Sequence, residues 1–80
     1  MAYNGWKNYE TWNVALWAGN DEGLYNTIRE HRSAIKRFNR ESAADFTMEL
    51  MPQGTPDFDG KPARYLKVNW AEIARCYNEL

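Results

Sequence analysis

The chain holds one imidazole, His31, and one thiol, Cys76, so few reactions are open to its side chains. A Cys-His nucleophilic pair needs both groups within hydrogen-bond reach, with oxyanion donors beside them. Cys76 falls late in a carboxy-terminal helical stretch and His31 midway along another, and no residue pattern supplies the oxyanion site. Structural zinc takes four Cys or His ligands, a set that one of each does not make. The stretch DFDGK begins like a calcium loop, with Asp57 and Asp59 as its first acids. Gly60 comes too early and no bidentate glutamate closes the ring, so it reads as a turn. The sequence has no GxSxG elbow, phosphate loop or dinucleotide fingerprint. Glu10, Asp21, Glu22, Asp45 and Glu49 fit helix caps and solvated faces. These residues predict no catalytic group, no metal and no cofactor, and a protein that acts by binding.

Two stretches offer a binding surface. From Asn8 to Asn20 the chain reads NYETWNVALWAGN, a short helical segment with apolar residues on almost every side. Such a helix is either enclosed by its own domain or covered by a partner. If Tyr9, Trp12 and Leu16 pack inward, Trp17 and Val14, with Asn13, face elsewhere and form a candidate protein contact, because tryptophan is a common interface anchor. In the second stretch, Arg29, Arg32, Lys36 and Arg40 gather beside the apolar seam of the next helix, as a wheel at about 100° per residue places them. That flank is the alternative, a site for nucleic acid or an acidic protein surface. Glu30, Glu41 and Asp45 partly neutralise it and no aromatic platform for bases is interleaved, so nucleic acid ranks behind a protein partner.

The elements that must position these residues read as helices. Met1 to Lys7 is an extended lead-in with an Asn4-Gly5 turn. Asn8 caps a first helix, which Gly19 closes in a positive-φ position. Asn20 or Asp21 caps a second, whose seam is Leu24, Ile28, His31, Ile35 and Phe38. Glu41 and Ser42 open a third, with Ala43, Phe46 and Leu50 at helical spacing, until Pro52 stops it. Residues 52–64 hold all three prolines and an Asp59-Gly60 turn signal, and read as an ordered loop or small hairpin anchored by Phe58. Tyr65 to Val68 reads as a short extended piece, and Asn69 with Glu72 has the form of a capping box for a last helix. The expected fold is a compact all-α single domain over residues 1–80. Its four helices lie near 8–18, 21–39, 42–51 and 69–80, with the Pro/Gly loop before the last. Its expected core is Trp12, Leu16, Leu24, Ile28, Ile35, Phe38, Phe46, Leu50, Trp70, Ile73 and Tyr77.

Composition agrees with a single small domain. Eighty residues bury only about 60–65% of the surface the unfolded chain exposes, and four tryptophans, five tyrosines and three phenylalanines supply large area to a small core. A net charge of −1 argues against binding nucleic acid through an overall field. One cysteine makes no intramolecular disulfide and fits a reducing compartment. No basic leader runs into an apolar segment, and no apolar run approaches the ~18–20 residues of a membrane span, so a cytoplasmic protein is expected.

The stretch NYETWNVALWAGNDEGLY, residues 8–25, resembles a family of small proteins of no assigned activity from bacteriophages, including phages of marine cyanobacteria, and from other mobile elements. The resemblance rests on NYETW, then LW, then ND and a following Tyr, and covers the first third of the chain. VNWAEIA, from Val68 to Ala74, is a weaker second patch. It implies no catalytic or binding residues. It does imply a phage accessory protein that acts in the cytoplasm of an infected bacterium by binding and redirecting a host protein. A homodimer is the other partner arrangement expected of the aromatic helix.

Overall fold

An Asx side chain opens each of the four long helices. In the computed structural model, which describes residues 3–59 and 62–80, these are α1 (Tyr9–Asn20), α2 (Glu22–Ile35), α3 (Arg40–Leu50) and α5 (Trp70–Glu79). Asn8, Asp21, Asn39 and Asn69 accept the orphan N–H groups of Thr11, Leu24, Ser42 and Glu72. Between α3 and α5 lie a two-stranded antiparallel hairpin, β1 (Gly54–Thr55) with β2 (Phe58–Asp59), and the single turn α4 (Pro62–Tyr65). The fold is thus the expected all-α four-helix domain, and the proline-bearing loop holds the small hairpin.

Several boundaries differ for identifiable reasons. Gly19 does not close α1: the helix runs on through Asn20, and Asp21 serves as its C-cap and as the N-cap of α2. α2 stops at Ile35 instead of 39, because Lys36 turns into the left-handed region at φ 78°. α3 then begins earlier than expected, because Asn39 and Ser42 form a reciprocal capping box that places Arg40 in the first helical position. Residues before Val68 turn instead of extending, with Lys67 N–H and Val68 N–H donating to the carbonyls of Arg64 and Tyr65. The hairpin turns at Pro56-Asp57; Asp59 lies in β2 and Gly60 is outside the described residues.

Two joints fix the helices relative to one another. The Thr11 hydroxyl donates to Asn8 Oδ1 at 2.7 Å and accepts the N–H of Asn69 at 2.8 Å. The start of α1 and the cap of α5 therefore share one hydroxyl. Asn8 Nδ2 adds a bond to the carbonyl of Lys67, and Lys7 N–H one to Glu72 Oε1. At the other joint, the Asn78 side chain accepts the N–H of Phe38 and donates to its carbonyl, at 2.7 and 2.9 Å. This binds the α2–α3 link to α5, the helix that packs against α1, α2 and α3.

The core is Val14, Ala15, Ala18, Ile28, Phe38, Ala43, Phe58, Tyr65, Val68, Ile73, Ala74 and Tyr77. Phe46, Leu50 and Trp70 lean on it from half-exposed positions. Four expected core residues are corrected. Ile35 is exposed, being the last residue before the chain turns away, and Trp12, Leu16 and Leu24 are only half-buried.

Candidate functional site

The first helix faces the opposite way from the orientation its largest side chains suggest. Its inward side is built of small residues: Thr11, Val14 and Ala18 are 0% exposed and Ala15 is buried beside them. Tyr9, Trp12 and Leu16 follow one another at helical spacing on the outward side, each half-exposed, and Tyr9 also leans on the core. Small inward residues let α1 lie close to α2 and α5, which leaves no room between the helices for indole rings. The spacing of Thr11, Val14, Ala15 and Ala18 was itself a readable inner-face signal, hidden because aromatic residues dominate any reading weighted by hydrophobicity.

Tyr3 completes the outward surface. The amino-terminal segment turns back at Asn4 and Gly5, both at positive φ, and pairs the backbones of Tyr3 and Trp6. The Tyr3 ring, on a residue 40% exposed, meets the edge of Tyr9 at 5.5 Å and lies 4.9 Å from Trp12; Tyr9 and Trp12 are 5.8 Å apart. Three rings thus form one mutually supported cluster, at separations favourable for aromatic pairs. The Asn8–Lys67 bond brings Leu66, 83% exposed, to the same end of α1.

Of the expected contact residues, Val14 and Asn13 are withdrawn inside at 0% exposure, and neither offers a surface. Val14 faces α2 and α5 because α1 is rotated, and Asn13 is consumed by the hairpin. Its Nδ2 donates to Asp57 Oδ2 at 2.7 Å and its Oδ1 accepts the Thr55 hydroxyl at 2.6 Å. Trp17 is half-buried and its indole N–H donates to the same Asp57 oxygen at 2.8 Å. Hydrogen bonds from Asn13 and then Trp17 hold the Asp57 carboxyl below its ordinary value of 3.8. Trp17 and Asn13 therefore form a clasp for the loop. Arg64 strengthens the same region: its Nε lies 3.2 Å from Glu10 Oε2, an ion pair lacking hydrogen-bond alignment, and its guanidinium covers the Phe58 ring.

The basic flank expected on the second helix is dispersed. Arg29 lies over the Tyr25 ring, Arg32 donates to the carbonyl of Tyr77, Lys36 stands in the turn, and Arg40 belongs to α3. The break at Lys36 removes the continuous wheel that joined them. His31 and Cys76 do not come together either. The imidazole stacks on Phe46 at 4.4 Å and lines clefts with Glu49 and Thr27, whereas Cys76 lines a different cleft with Trp6, Glu72 and Leu80. Burial first, and Glu79 second, push the Cys76 thiol above its usual range, which lowers its thiolate fraction. Among the described residues no three His, Cys, Asp or Glu are placed to hold a metal ion, and no helix is long and apolar enough to cross a membrane.

A small helical domain with an aromatic cluster on the open side of its first helix is the class that fold and surface define. Within that class, the chain belongs to DUF7249, a family of unknown function whose pattern matches residues 1–80. Comparison with curated proteins and with solved structures gives no match.

Proposed function

We propose that this chain is a non-enzymatic accessory protein of phage origin that works in the bacterial cytoplasm by docking on a host protein. Its contact surface is the outward side of α1, formed by Tyr3, Tyr9, Trp12 and Leu16. The observation that carries this reading is the Tyr3–Tyr9–Trp12 cluster, three rings kept partly in water while small residues occupy the inner side of the helix. Tyrosine and tryptophan are enriched among the residues that dominate binding energy, and rings that brace one another lose little conformational freedom on binding.

The test is affinity capture from host lysate, followed by titration of the captured protein in purified form. Trp12→Ala is expected to weaken that complex by about 2 kcal/mol or more, roughly 30-fold in Kd. Retention of the complex by Trp12→Ala and Tyr9→Ala overturns the assignment. Light scattering of the purified chain is the companion measurement. A dimer that dissociates on Trp12→Ala would give the surface to a second copy instead of a host protein.

A further inference from the structure

A second surface lies where the α2–α3 link crosses α5. An open groove of about 650 Å³ runs between them, with Phe38, Ala71 and Ala74 in its lining and Arg37, Arg40 and Arg75 contributed by three separate segments. The double bond from Asn78 to the backbone of Phe38 makes the convergence. It pins the link, places Arg37 on one side of Phe38 and the start of α3 on the other, and Asn78 itself sits one turn beyond Arg75. All three arginines are exposed, and none has a carboxylate within 4.0 Å among the described residues. Glu79 is the one acid in the lining.

Two local choices run against stability here. Arg40 stands in the first position of α3, where the helix dipole disfavours a cation. Lys36 holds a positive φ, a conformation costly to a side chain with a Cβ. Local rules broken together in one place are expected at functional positions.

We propose that this groove binds an acidic segment of a partner protein, with carboxylates on the three guanidinium groups and a small apolar side chain over Ala71 and Ala74. The arginine fork accepts carboxylates in bidentate fashion, and clusters of arginine are a recurrent means of reading acidic motifs. Charge and shape favour this occupant over nucleic acid. The Phe38 ring is 1% exposed and offers no face for a base, and Glu79 opposes a continuous phosphate backbone. Three cations also neutralise few phosphates, and phosphate neutralisation supplies essentially all of non-specific nucleic-acid affinity. The groove and the α1 surface share no residue, so the two proposals stand or fall separately.

The experiment is fluorescence anisotropy of the full chain with a labelled peptide repeating Glu-Glu-Ala, against the same peptide with Gln for Glu and a labelled oligothymidylate of equal length. The acidic peptide is expected to bind, to weaken as salt rises, and to lose roughly tenfold in affinity with Arg37→Glu or Arg75→Glu. Glu79→Gln is expected to tighten binding severalfold, and Trp12→Ala to leave it unchanged. Arg40→Glu separates binding from folding: it weakens the peptide while raising the thermal midpoint by a few degrees, because an acid suits the first turn. Circular dichroism of each variant confirms the helical fold. No binding of the acidic peptide, equal binding of the Gln peptide, binding indifferent to the arginine reversals, or tighter binding of the oligothymidylate overturns the proposal.

Discussion

At the scale of single residues, the polar side chains inside this protein do most to specify its geometry. Thr47 and Tyr77 are both 0% exposed, and their hydroxyls meet at 2.6 Å, joining α3 to α5. Burial raises the Tyr77 phenol far above its ordinary range, so it stays protonated at any working pH. Thr47→Val keeps the shape and removes the partner. The expected loss is about 1–3 kcal/mol, the cost of a buried hydroxyl left without a bond. A lower urea midpoint at unchanged slope is the measurement that checks it. Tyr77 was legible as a core residue from its spacing with Trp70, Ile73 and Ala74. The Thr47 hydroxyl was not, because nothing local announces a partner thirty positions away.

At the scale of elements, the sequence carried its helices well and their rotation poorly. The caps at Asn8 and Asn69 follow from an Asx side chain three residues before the N–H it accepts, a purely local relation. Rotation of α1 is a matter of how closely neighbouring helices approach, and side-chain size decides that. Val14 and Ala18 are inside and Trp12 is not, although indole is the larger apolar group. Phe38 was correctly read as core but for the wrong reason: it arrives through the turn at Lys36, a non-glycine positive φ that leaves no sequence mark. Arg40 moved with that turn, and so the expected basic stripe dissolved while a different arginine cluster formed. Gly19 provides an element-scale prediction. It lies within α1 with nothing within 4 Å of an added Cβ, so Gly19→Ala is expected to stabilise the protein by about 0.5–1 kcal/mol, read as a higher thermal midpoint.

At the scale of the whole molecule, the hairpin is held to the helical body by Asp57, an exposed carboxylate gripped by Asn13 and Trp17. Its folded pKa is lowered, so the linkage has a definite sign. Its contribution is present above the unfolded value near 3.8 and disappears as pH falls through the lower folded value. Trp17 fluorescence is expected to report release of the loop only in strong acid. Asp57→Asn is expected to abolish that transition while leaving the helical signal unchanged. Asn13 and Trp17 read in the sequence as a candidate protein contact, because their shared acid lies forty positions or more downstream and itself reads only as part of a turn.

The hydroxyl of Thr11 carries a temporal consequence. Asn8 caps the opening turn of α1 locally, whereas the N–H of Asn69, at the start of α5, finds its acceptor only in a hydroxyl fifty-eight positions earlier. The helix made last on the ribosome therefore completes the backbone bonds at its start only by docking on the helix made first.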